Sequence, residues 1–168
     1  MTLLLEAVAD QAESRTAPVD MPEAERAAWE AAGASFEDPG AVARVHARAA
    51  AAFAGLLTRS VPGDAAVAEL LGVDRSRVSQ RLTERSLYSF HHGDDRYYPR
   101  WQFQGTTVMR GMRDVLRALD ESLHPLTVDH WFTTPSRELL VDGEPVAPAA
   151  WLAIGGKVDA VSAVAADL

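Results

Sequence analysis

The chain has 168 residues, 48% of them hydrophobic and 24% charged, with a formal net charge of −8 and no cysteine. That length suits one domain or two small ones, and the balance is ordinary for a soluble globular fold. A disulfide framework and a thiol nucleophile are excluded, which suits a reducing cytoplasm.

Met1 to Ala9 is apolar but short and carries Glu6, so it reads as neither a signal peptide nor a membrane span. Pro22 opens a helix that Trp29 anchors and Gly33 stops, because proline is tolerated in a first helical turn. Asp38-Pro39 begins a longer helix. Val42, Val45, Ala49, Ala52, Phe53 and Leu56 form its apolar stripe, flanked by Arg44, His46 and Arg48. Packing against the helix-turn-helix core is the favoured role of this stripe, with a dimer seam as the alternative. Residues 1–60 are therefore expected to form an N-terminal helical segment.

Residues 64–82 read as two short helices joined by a tight turn. Val67, Leu70 and Leu71 share one face of the first, and Gly72 supplies the sharp exit. Asp74 or Ser76 caps the second, which Val78 and Leu82 anchor. Arg75, Ser76, Arg77, Ser79, Gln80 and Arg81 are then the candidate DNA-contacting residues. A helix that offers guanidinium and amide groups to a major groove is helix-turn-helix chemistry. The alternative is a plain helical hairpin with a solvated arginine face. Residues 64–103 hold six basic and six acidic side chains, the least acidic part of the chain, and phosphate affinity follows local field more than total charge. The small cationic footprint argues for binding as a homodimer or within a larger complex.

Leu87 to Phe90 and Tyr97 to Trp101 are rich in strand formers, with His91 to Asp95 as the hairpin turn between them. Pro99 lacks an N–H, which predicts an edge position for the second strand. A hairpin behind a recognition helix resembles a wing, and Arg96 and Arg100 are its candidate phosphate contacts. His91, His92, Asp94 and Asp95 invite a metal reading. Neighbouring strand residues face opposite ways, so a solvated turn is favoured, and neither a metal nor a cofactor is expected. The sequence has no phosphate-binding glycine loop and no nucleophile elbow, and it reads as a non-enzyme. The hairpin and the two helices together define a segment at 61–104.

Further on, Met109 to Leu123 predicts an amphipathic helix with Met112, Val115, Leu116 and Leu119 on one face, ended or redirected by Pro125. Thr127 to Phe132 suggests a short helix, and Asp142-Gly143 a turn. Pro148 starts a helix containing Trp151, Leu152 and Ile154, and Gly155-Gly156 ends it. Val158, Val161, Val164 and Leu168 form a last short helix that must dock on something.

The run from Leu126 to Leu168 resembles the toxin-binding domain of Xre/MbcA/ParS-type antitoxins. The resemblance rests on Trp131-Phe132, Pro135, Leu139-Leu140, Gly143 with Pro145, Trp151-Leu152, Gly155-Gly156 and the closing helix. Two departures stand out: Ser136 replaces an asparagine common in the family, and the first ~60 residues, about one small subdomain by size, lack an obvious counterpart. With the helix-turn-helix and small β-hairpin read above, the resemblance gives a mainly α fold that ends in a helical toxin-binding domain over 105–168. It also implies a cognate toxin of the RES-domain, NAD-consuming kind and a shared operator DNA. Trp131, Pro135, Trp151, Lys157, Asp167 and Leu168 are the candidate toxin contacts. The acidic end, Asp167 with Leu168, is expected either to plug an electropositive toxin pocket or to be a frayed, solvated terminus. The alternative function is a stand-alone transcriptional regulator whose C-terminal half dimerises or senses a ligand.

Overall fold

Alanine dominates the first helix among the described residues, α1 (Pro39–Thr58), and its packing follows from that composition. The structure, a computed structural model, describes residues 39–168, with side chains from residue 43 onward. The expected helix at 22–32 and the preceding arm lie outside the described residues, as does the side chain of Val42. From 43 to 52 every side chain of α1 is exposed, and only Phe53, Leu56 and Leu57 turn inward. The stripe is thus buried at its C-terminal end alone, where Phe53 meets Phe90, His92 and His124 and not the helix-turn-helix core that the sequence leads one to expect. An alanine methyl buries too little area to hold a helix down, whereas Phe53 and the fully buried Leu56 do.

Residues 47–168 form one compact unit, mainly helical with three small antiparallel sheets. Strand β1 (Ser60–Pro62) leads into α2 (Gly63–Leu71), then α3 (Arg75–Thr83), β2 (Phe90–His92) and β3 (Asp95–Pro99). The turn after α2 closes with Gly72 at φ 63°, the Val73 N–H on the Ala68 carbonyl (3.0 Å) and the Gly72 N–H on the Glu69 carbonyl (3.1 Å). This reciprocal pair is the Schellman arrangement, and it needs a residue that tolerates positive φ. Asp74 stands at the N-cap of α3, but its side chain makes no capping bond, and Ser76 lies inside the helix.

The strands pair in the order β1-β3-β2, with Val61 opposite Tyr98 and Phe90 opposite Tyr97. Strand β3 is therefore central, which corrects the expected edge. Pro99 is its last residue, paired with Ser60, so its missing N–H costs at most one terminal bond. Strand β1 escapes a sequence reading because Ser60-Val61-Pro62 is too short to alternate. Val61, Val67, Ala68, Val78, Leu87 and Tyr98 close into one apolar core.

A tight 3₁₀ turn (Arg100–Gln102) and a two-stranded ribbon, β4 (Phe103–Gln104) and β5 (Thr107–Val108), lead to α4 (Met112–Ala118). The expected helix over 109–123 is cut short at both ends. Gly111 stands before it at φ 82°, and Leu119 leaves it in extended conformation. Its predicted face, Met112, Val115, Leu116 and Leu119, is buried as expected. Pro125 begins the next helix, α5 (Pro125–Thr133), as the first-turn proline of a segment capped by the His124 ring.

The C-terminal part is not wholly helical. Strands β6 (Ser136–Val141) and β7 (Glu144–Val146) form a hairpin around Asp142 and Gly143, at φ 52° and 86°. Two consecutive positive φ values give the turn the hand that suits a twisted hairpin. Then come α6 (Pro148–Ala153) and α7 (Val158–Ala166).

Helix α7 packs on α4, with Val161 and Ala165 buried in a second core that also holds Phe132, Leu139 and Leu152. This corrects the expectation of a freely moving tail: Val161 and Ala165 are held in the core, while Asp159, Ala163 and the end from Ala166 to Leu168 are exposed. Deleting Ala165 to Leu168 is thus expected to destabilise the fold by roughly 1–2 kcal/mol, through lost burial and a shortened helix. A thermal melt of the shortened chain checks this, and an unchanged midpoint would contradict the docking. Among the described residues, no helix is long and apolar enough to cross a membrane.

Candidate nucleic-acid interface

Helix α3 presents one buried residue and a polar outer face. Val78 is fully buried, while Arg75, Ser76, Arg77, Ser79 and Gln80 are exposed and Arg81 is half-buried. The outer face is internally ordered. Arg77 Nη1 donates to Gln80 Oε1 at 2.6 Å, and Gln80 Nε2 donates to Glu84 Oε1 at 2.8 Å. Side chains one helical turn apart meet in this way, which fixes their rotamers before any partner arrives. Arg77, Gln80 and Arg81 line an open cleft with Glu84 and Arg113.

Arg113 was not among the sequence candidates. It sits on the exposed side of α4 with Arg117, and Arg110 stands just ahead of that helix, also exposed. The spacing of these three arginines was the available signal, but nothing local tied them to α3. The tie is Arg85, in the turn after α3 at φ 55°. Its Nη2 donates to the carbonyls of Leu116 and Leu119 (2.8 Å for the latter), and its Nη1 pairs with Glu121 at 2.9 Å. A cation on the free carbonyls at a helix C-terminus is favourable, and here it locks α4 to the end of α3.

The hairpin differs from the expected basic wing. Arg96 Nη1 lies 3.2 Å from Asp64 Oδ2, and Tyr98 Oη donates to Asp64 Oδ1 at 2.7 Å. Burial, followed by the bond to Asp64, raises the Tyr98 phenol well above its ordinary range, so it stays a neutral donor. Arg96 and Tyr98 are two apart on β3 and so share a face, and both are drawn to α2. Arg100 is exposed in the 3₁₀ turn, at the end of β3 away from the hairpin tip. The exposed tip carries His91, His92, Asp94 and Asp95, with no arginine. The His92 ring packs 5.0 Å from Phe53. Among the described residues, no cluster of His, Asp and Glu has the makings of a metal site.

Of the six candidate toxin contacts, the structure gathers four. Trp131, Pro135, Asp167 and Leu168 line one open groove of about 390 Å³. Trp151 and Lys157 form a separate clasp, with the Trp151 indole N–H on the Lys157 carbonyl at 3.1 Å. A Cβ on Gly156 would lie 2.3 Å from the Trp151 ring nitrogen, so that close approach requires glycine.

A polar junction between the two cores also escaped the sequence reading. Asp129 is 5% exposed and accepts from Arg59 (2.8 Å) and from the Trp101 indole (3.1 Å). Trp101 stacks on Phe132 with ring centres 3.8 Å apart and on Tyr88 at 5.7 Å. Burial, then the charge of Asp129, pushes the Tyr88 phenol up to about 12. The fully buried Gln102 amide accepts the Tyr88 N–H (2.8 Å) and donates to the carbonyls of Tyr88 (2.9 Å) and Pro99 (3.0 Å). The Gln102 bonds tie the turn to the segment entering β2 and to the end of β3, since a buried amide is tolerated only when its partners are present, while Trp101 joins the turn to α5.

No family model matches the chain, and no curated protein matches it. Among solved structures, the NMR structure of Rv2175c is similar to it. The identity is 27% and the TM-score 0.48, over 61% of this chain and 79% of that one.

Proposed function

We propose that the chain binds duplex DNA as a helix-turn-helix protein, with α2 and α3 as the two helices and α3 in the major groove, and that it acts by binding rather than catalysis. The observation that carries this reading is the outer face of α3, where Arg77 and Gln80 are exposed, ordered by each other and joined in one cleft by Arg113. Arginine and glutamine are side chains whose paired groups match base edges, while an arginine set to one side suits a phosphate. Two copies on two half-sites would double a cationic surface that is small in one chain. The hairpin serves as scaffold in this account, since Arg96 is engaged by Asp64.

Duplexes enriched from a random pool by the wild-type chain provide the test. Arg77→Ala and Gln80→Ala are each expected to weaken binding to the enriched sequence by ~1–3 kcal/mol. Arg113→Ala is expected to weaken all sequences alike and to flatten the salt dependence by about one unit. Failure to enrich any duplex, or wild-type affinity in all three variants, would overturn the reading.

A second reading, the antitoxin, is favoured by the groove that unites Trp131, Pro135, Asp167 and Leu168. With Val161 and Ala165 buried, a toxin segment would enter that groove, in place of the tail entering the toxin. Co-purification with a RES-domain toxin, lost on Trp131→Ala, would support it; no association would leave the regulator.

A further inference from the structure

Helix α4 carries a basic edge that continues past the α3 cleft. Arg113 and Arg117 are four apart and share a face of α4, and both are exposed. Arg110 is exposed three residues before Arg113, so their Cα atoms lie within about 11 Å. Arg110 in turn lines a cleft of about 200 Å³ with the exposed Lys157 and the Gly155-Gly156 turn. The loop that presents Lys157 is fixed, because its carbonyl accepts the Trp151 indole N–H at 3.1 Å and Gly156 lets the ring close on it. A side chain on a fixed loop meets a partner with less ordering cost. Helix α7, which starts just beyond Lys157, packs on α4.

Three arginines elsewhere are ion-paired: Arg59 with Asp129, Arg85 with Glu121 and Arg96 with Asp64. The side chains of Arg110, Arg113, Arg117 and Lys157 have no ion-pair partner among the described residues. Their acidic neighbours, Asp114 and Asp159, stand in the first turns of α4 and α7 and pair with none of them. In a chain of net charge −8, this edge is a local field opposite in sign to the whole.

We propose that Arg110 and Lys157 grip the phosphate backbone of the duplex beyond the groove that α3 enters, with Arg113 as the link between the two surfaces. The proposal rests on the DNA reading of α3 and lengthens its footprint. Cations spread along an edge match a backbone whose phosphates recur at about 3.4 Å of rise per strand. Arg113 and Arg117 are about 6 Å apart along the helix axis, close to the rise of two base pairs. The edge of α4 and α7 thus takes the place expected of a hairpin wing, and Lys157 serves DNA in this account in place of a toxin.

The test is the salt dependence of binding to the enriched duplex, measured on the full chain. Arg110→Gln/Lys157→Gln is expected to flatten the slope by about two units, so that it loses about tenfold less affinity than wild type between about 50 and 200 mM salt. Its preference for the enriched over a scrambled duplex should stay at the wild-type value, because phosphates carry no sequence. Both positions are exposed, so its melting midpoint should match wild type. Arg110→Lys/Lys157→Arg keeps both charges and should keep the wild-type slope. Arg48→Gln/Arg137→Gln removes the same charge from exposed positions that line neither cleft and should leave the slope unchanged. An unchanged slope in Arg110→Gln/Lys157→Gln, with Arg77→Ala still weakening the enriched duplex, would overturn this inference and leave the α3 reading standing. An equal flattening in Arg48→Gln/Arg137→Gln would overturn it too, as an effect of net charge alone. If wild type enriches no duplex, both readings fall.

Discussion

Gly111→Ala is expected to destabilise the chain by about 2–4 kcal/mol, combining backbone strain with overpacking. Gly111 sits at φ 82°, where a Cβ is unfavourable in itself. A Cβ there would also lie 2.4 Å from Val158 Cγ2 and 2.9 Å from Cγ1. Valine is stiff at χ1, so rotating one methyl away brings the other in. Relief must come from moving the start of α7 off α4, which loosens Val161 and Ala165 in the core. The double variant Gly111→Ala/Val158→Ala should recover the steric part of the loss and leave the backbone part. Denaturant unfolding of the two variants measures both, and a single variant within about 0.5 kcal/mol of wild type, an ordinary surface-substitution effect, would refute the close approach.

Asp129→Ala is expected to cost roughly 2–3 kcal/mol, mainly by leaving the Trp101 indole N–H without its acceptor in a buried place. The Asp129 side chain is 7% exposed, while Arg59 is 58% exposed and regains water when its partner goes. The ion pair itself therefore adds little, and the hydrogen-bond loss decides the magnitude. Asp129→Asn keeps one acceptor and should lose less than alanine does. Equal losses in the two variants, read from unfolding curves, would mean that the charge rather than the indole bond matters.

Much of the secondary structure was legible because it rests on local rules. Gly72, Pro125 and Asp142-Gly143 mark their turns by backbone chemistry, and the α4 face follows helical spacing. What was not legible depends on partners distant in sequence. Strand β1 is three residues long and is defined only by its pairing with β3. Strand β6 hides because Leu139 and Leu140 sit side by side, one buried and one exposed, which masks the two-residue alternation of a strand. The candidate site divides along the same line. The exposed residues of α3 follow from the period of one helix. Arg113 joins them because the fold brings α4 beside α3, and Arg96 is drawn away by Asp64, 32 residues earlier. Asp129 was one carboxylate among many until the fold put Trp101 and Arg59 around it.

The central claim is that α3, with Arg113 beside it, is the DNA-contacting surface. The most direct measurement is amide and side-chain chemical-shift mapping by NMR, on the full chain, during titration with an enriched duplex. The expected result is saturable shifts concentrated at residues 75–81 and at Arg113, with the hairpin tip at His92 to Asp95 and the groove around Trp131 unmoved. Shifts confined to the tip or to that groove, or no saturable shift at any DNA concentration, would contradict it.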